Sequence, residues 1–158
     1  MQAQNGQSDN ADRIRAVLGE VKKLASEYYR LTKKPLGVTG EVAEYEAARI
    51  LGLKLADART PGYDAFRGTE RIQIKGRALG PDAKPGQRLS RIKKGAPCDV
   101  VMLVLLDLAT LNASEIWEAP YGTIETLLDK GGKARERGAL SVREFKKEAK
   151  LIWSEEKA

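Results

Sequence analysis

The chain has 158 residues, enough for one domain with a sizeable core of its own. Its 28 basic and 22 acidic residues leave a formal charge of +6, which leans toward an anionic partner without naming one. Histidine is absent and cysteine occurs once, at Cys98. That excludes Ser-His-Asp and Cys-His triads, histidine bases, disulfides within the chain, and zinc held by histidine or paired thiolates. Any catalysis must then run on carboxylates, lysine, arginine, hydroxyls or a hard metal ion. A lone cysteine suits a reducing compartment, the start "MQAQNGQSDN" is unlike a signal peptide, and no apolar run approaches the ~20 residues of a membrane span. A cytoplasmic protein with no membrane partner is expected.

Residues 1–10 are polar and read as a disordered tail ahead of a single domain over 11–158. Ile14, Val17, Leu18, Val21, Leu24, Ala25, Tyr28 and Leu31 then recur at helical spacing, predicting an amphipathic helix over 11–32. "TKKPLG" breaks it, and a core over 39–118 begins with a second helix over 39–51, with Thr39 as N-cap and Gly52 as stop. On a helical wheel Ala43, Ala47, Ala48, Ile50 and Leu51 form one broad arc. Glu44 falls inside that arc, Glu46 lies outward beside Arg49, and Glu41 sits in the first turn, where a carboxylate complements the helix dipole. Glu44 is therefore a carboxylate that faces the protein.

"LKLADA" reads as a short strand and Pro61-Gly62 as a bend, followed by the hairpin "GYDAFRGTERIQIKGR". Placing Gly68-Thr69 in the turn pairs Arg67 with Glu70, and counting back sets Asp64 opposite Gln73. Lys75 then shares the face of Gln73, and Tyr63, Ala65, Ile72 and Ile74 share the other. One side of the hairpin is core; the other is an acid–amide–lysine cluster.

From Arg71 to Lys94 the chain holds eight basic residues against Asp82 alone, a net of +7 that accounts for the whole excess. Residues 77–97, rich in glycine, proline and basic residues, are read as mostly loop, with one helical turn over 87–93. "DVVMLVLL" suits a strand buried on both faces, with Cys98 as a small apolar residue leading into it. "SEIWEA" suits another strand, "GTIETLLDK" a short helix, and "KGGKARERG" a charged flexible loop. Ser141 and Glu144 form a capping-box pattern that opens a last helix through Trp153. Tyr63, Trp117, Tyr121 and Trp153 are assigned to core or rim rather than to base stacking. The order predicts a small α/β domain with a mixed sheet flanked by helices.

An inward glutamate, a strand aspartate and a nearby lysine have a joint use. Mg²⁺ takes oxygen ligands, usually one or two carboxylates with water and substrate phosphate, and lysine adds charge stabilisation or favours deprotonation of an attacking water. The pattern "GEVAEYEAARILGL…GYDA…IQIKGR" resembles the PD-(D/E)XK nuclease superfamily, nearest its branch of Holliday junction resolvases and Mrr-type restriction enzymes. The resemblance covers residues 39–77. It implies a restriction-endonuclease-like fold, with Glu44 as the helix acid, Asp64 as the metal aspartate, Gln73 at the second ligand position and Lys75 as the catalytic lysine. Gln73 departs from the usual acid and resembles the Mrr-like variant; as a neutral donor it binds a divalent cation more weakly. The chain also resembles a group of uncharacterised bacterial proteins sharing "GYDA…IQIKGR", which adds no function.

The implied function is Mg²⁺- or Mn²⁺-dependent hydrolysis of phosphodiester bonds in DNA. Arg77, Lys84, Arg88, Arg91, Lys93 and Lys94 follow directly and would track a phosphate backbone. Such nucleases often dimerise, and the first helix offers a surface for it. The rival expectation is a nuclease fold without catalysis that binds nucleic acid or docks on a partner protein.

Overall fold

A six-stranded mixed sheet with helices packed against it forms the protein, an α/β fold. The structure, a computed structural model, describes residues 3–57, 60–84, 86–132 and 138–157. In chain order these form α1 (Ala3–Thr32), α2 (Thr39–Leu51), β1 (Lys54–Leu55), β2 (Ala65–Arg67), β3 (Glu70–Leu79), β4 (Val100–Asp107), β5 (Ala113–Pro120), α3 (Tyr121–Asp129), α4 (Val142–Glu148) and β6 (Lys150–Ser154), with a closing 3-10 turn at Glu155–Lys157. The strands lie in chain order, β3 and β4 parallel and every other neighbouring pair antiparallel. Among the described residues no helix is long and apolar enough to cross a membrane.

Alternation along β4 divides the interior in two. Val100, Met102, Val104 and Leu106 join Ile72, Ile74 and the α2 residues Val42, Ala43 and Ala47 in one cluster. Val101, Leu103 and Leu105 join Leu89, Ile92, Ile124, Leu128 and Phe145 in the other. Both faces of β4 are thus dry, as its unbroken apolar run requires. Helices α1 and α2 cover the first face, and α3, α4 and residues 89–98 cover the second.

The parallel pairing of β3 with β4 decides where the basic segment goes. Each strand starts at the same end of the sheet, so the chain leaving Leu79 must travel back along β3 before Val100 can begin. It does so across the second face without the expected helical turn. Leu89 donates its N–H to Leu140, Ile92 to Gly138, and Val142 returns one to Gln87, so the stretch is extended against residues 138–142. Buried Leu89 and Ile92 hold it down while Arg88, Arg91, Lys93 and Lys94 point outward.

Several elements differ from the sequence expectations. Helix α1 begins at Ala3, so it runs through most of the stretch read as a tail; extending an existing helix needs no new nucleus, and no proline interrupts it. Val38, not Thr39, is the N-cap of α2, and no side chain caps it; Thr39 instead lies against Gly76 of β3. Gly52 closes α2 in the left-handed conformation, φ 68°. The strand read in "LKLADA" is only two residues long. The Ser141–Glu144 capping box is present, yet its helix stops at Glu148. "LIW" then pairs with β5 as β6, because the outer edge of β5 presents backbone groups that need partners. The loop read in "KGGKARERG" lies mostly outside the described residues.

Glu46 is the largest correction. Expected on the outer side of α2, it is fully buried. Its carboxylate accepts from Lys22 Nζ at 3.1 Å, Arg49 Nη2 at 3.0 Å and the Ala113 N–H at 3.0 Å. Burial opposes its ionisation, but these hydrogen bonds and the Lys22 charge together hold it below the usual carboxylate range. A wheel drawn for one covered face misplaces it, because α1 covers a second side of α2.

Candidate active site

The hairpin pairs as expected at its tip, with Arg67 opposite Glu70 and Ala65 opposite Ile72, and Gly68 takes φ +61° in the turn. At Asp64 the ladder changes. The Asp64 N–H donates to the carbonyl of Ile72, the residue already paired with Ala65. Its carboxylate then takes the place of backbone, Oδ2 accepting the N–H of Ile74 at 2.7 Å. Asp64 therefore does not sit squarely across from Gln73 as the simple count had it; a local bulge slips the strand by one. The slip also moves Tyr63, expected beside Ile72 and Ile74, to the opposite cluster, where its ring meets Phe66 edge-on at 5.1 Å.

This irregularity gives Asp64 its reach. A carboxylate bonded to the in-plane N–H of Ile74 lies at the edge of the sheet rather than on either face. From there it raises the pKa of Glu44, which α2 brings to the first face, and helps hold the proton on Lys75, which β3 turns to the second. The three side chains that the sequence placed at chemistry thus form one electrostatic group. Gly76 makes the approach of α2 possible: a Cβ there would stand 2.5 Å from the Ala43 Cβ and 3.2 Å from the Thr39 carbonyl oxygen.

Burial tunes each member. Desolvation, then the charges of Asp64 and Glu41, push Glu44 from 4.5 up to about 7. Asp64 is raised chiefly by burial, against the Ile74 hydrogen bond and Lys75. Lys75 is lowered by burial, against the attraction of Asp64, and its Nζ donates to the Arg91 carbonyl at 2.8 Å. That bond ties the lysine to the backbone of the basic segment. Gln73 shares the Lys75 face by alternation, and its Oε1 is enclosed with no hydrogen-bond partner among the described residues.

Among the described residues no three acidic, cysteine or histidine side chains form a metal-holding cluster. The donors present are two carboxylates and an amide oxygen. They fit a hard divalent cation of the Mg²⁺ or Mn²⁺ kind, which accepts neutral oxygens and completes its shell with water. An enclosed amide oxygen without a donor costs about 1–3 kcal/mol, and two partly desolvated carboxylates repel. A cation beside the two carboxylates would ease that repulsion.

The basic residues do not all stand alike. Lys84, Arg88, Arg91 and Lys93 are exposed and have no ion-pair partner among the described residues. Lys94 is engaged with Asp129 at 2.6 Å. Arg77 is half-buried on the Lys75 face, its Nε enclosed and without a partner among the described residues. Sequence reasoning missed Tyr121, whose hydroxyl donates to the Lys93 carbonyl at 2.7 Å and accepts the Ala96 N–H at 3.0 Å. It pins the basic segment to the sheet; the signal was available, since a buried tyrosine hydroxyl needs partners. No protein-family model matches the chain, and no curated protein matches it significantly.

Proposed function

We propose that the protein is a restriction-endonuclease-like nuclease that hydrolyses phosphodiester bonds in DNA with a divalent cation. The observation that carries this reading is Asp64: fixed by the Ile74 N–H, it interacts with both Glu44 and Lys75 from opposite faces of the sheet. Asp64 and Gln73 would hold Mg²⁺ or Mn²⁺ directly and Glu44 through water. Bound there, the cation supplies a Lewis acid for a phosphate oxygen and acidifies water.

The chain's own groups do the rest. Lys75 places a positive charge beside Asp64, where negative charge builds up on the phosphate or where an attacking water loses its proton. Arg88, Arg91 and Lys93, held over the same sheet face by Leu89, Ile92 and Tyr121, steer the nucleic-acid backbone toward that lysine. Arg77 Nε, enclosed on the same strand face and unpartnered among the described residues, is a further donor for a phosphate oxygen.

The test is cleavage of plasmid, single-stranded and branched DNA with Mg²⁺ and with Mn²⁺. Wild type should cut at least one substrate, and Asp64→Ala and Lys75→Ala should abolish cutting while DNA binding survives. Gln73→Glu should bind Mg²⁺ more tightly by calorimetry, since it restores a charged ligand. Binding without cutting by wild type, and no metal affinity gained by Gln73→Glu, would establish the non-catalytic module that the neutral Gln73 favours.

A further inference from the structure

Helix α1 carries more apolar surface than the fold uses. Its 30 residues would span about 45 Å, but its contacts with the body run along one stripe, where Ala25 is buried and Lys22 reaches Glu46. A second stripe, Ile14, Val17, Val21, Leu24, Tyr28 and Leu31, is spaced alternately by three and four residues. That is the a/d repeat of a coiled coil, maintained through two and a half heptads. Ile14 is 54% exposed, Leu24 60% and Leu31 68%.

We propose that α1 is a dimerisation helix whose exposed seam packs against the same seam of a second copy as a parallel two-stranded coiled coil. Three observations select this occupant. The first is the spacing, which asks for a helix with the same repeat, and a second copy presents one in register. The second is area. The exposed seam amounts to on the order of 500 Å² per copy, so a pair would bury about 1,000 Å², the size at which a specific interface begins.

The third is the choice of residues. The a positions begin with β-branched Ile14 and Val21, and the d positions end with Leu24 and Leu31, the distribution that favours two parallel strands. The flanking g positions carry Arg13, Glu20 and Glu27. In a parallel pair the e positions on the partner's flank are Leu18, Ala25 and Thr32, none of them charged, with Ala25 kept buried against its own body. Antiparallel overlap of the full seam would set Glu20 against the partner's Glu27, like against like. The stripe on the body lies beside the seam, so each copy keeps α2 in place. This inference is independent of the nuclease reading.

Sedimentation of the full chain over about 5–100 μM tests it. Wild type should run as a dimer, and Leu24→Glu should weaken association at least ~100-fold, while Ala16→Glu, on the outer side of α1, leaves it unchanged. Orientation is read by oxidising a Leu24→Cys variant, since a parallel seam places both copies of that position in one layer and yields a disulfide-linked dimer. Lys23→Cys, off the seam, should not link; native Cys98 is buried and stays out of the reaction. Should Leu24→Glu fail to fold, the Leu24→Cys result decides alone. A wild-type monomer throughout, a dimer that survives Leu24→Glu, or no linkage through Leu24→Cys each overturns the proposal, as does a monomer that binds only a different protein or a vesicle.

Discussion

Replacing Glu44 by glutamine should make the metal-free protein more stable at pH 8 and change little near pH 4.5. Burial and the neighbouring Asp64 and Glu41 raise this carboxyl from 4.5 to about 7. Below about 4.5 the folded and unfolded chains both hold the proton, and Glu44 carries no penalty. As pH climbs from there through about 7, the unfolded chain ionises while the folded one resists, so stability falls; above that range the loss is complete. Moving a carboxyl that far corresponds to about 3 kcal/mol against the ionised form. Because Glu44 is only half-buried, solvent screening reduces this to about 1–2 kcal/mol. Glutamine imitates the protonated acid in shape and never ionises. Urea unfolding with a chelator present, at pH 4.5 and pH 8, measures the difference directly. Equal stabilities at pH 8, or the same gap at both pH values, would refute the claim that Glu44 sits in a desolvated acid pair. Such a pair is the kind of local cost that functional sites carry. Adding Mg²⁺ at pH 8 should reverse the order, because wild type then gains a ligand that the variant lacks.

Gly76→Ala should cost about 1–3 kcal/mol, since the new methyl would press on Ala43 and the Thr39 carbonyl and push out the turn of α2 that leads to Glu44; a midpoint unchanged in urea would show that α2 yields freely. Glu46→Ala removes the shared partner of Lys22, Arg49 and the Ala113 N–H, and a loss of about 3 kcal/mol is expected from thermal or urea unfolding. Arg88→Glu, Arg91→Glu and Lys93→Glu together should weaken DNA binding and flatten its salt dependence by about 0.9 per lost phosphate contact. Stability in that variant should move by only about 1 kcal/mol, as buried Leu89 and Ile92 still anchor the segment. Affinity unchanged across a salt titration would return those residues to an ordinary solvated surface.

Local chemistry made the elements legible. An unbroken apolar run announced β4, Gly68-Thr69 placed the hairpin tip, Gly52 stopped α2, and Ser141 with Glu144 opened α4. Each signal acts over a few residues, so the sequence determined it unaided. Glu44, Asp64, Gln73 and Lys75 were singled out as candidates by face and spacing, which are properties of one helix and one hairpin. Whatever depended on a second element was hidden. Glu46 is buried because α1 lies beside α2, and "LIW" became a strand because β5 had a free edge. The slip at Asp64 arises where strand pairing gives way to a side-chain hydrogen bond, and it, rather than direct opposition to Gln73, lets one carboxylate address both faces of the sheet. The basic segment lies over Lys75 only because β3 and β4 are parallel, and no residue within the segment encodes that pairing. Periodicity measures the preferences of one element against a uniform surrounding; tertiary structure replaces that surrounding with particular neighbours, and their unpaired groups choose the rest.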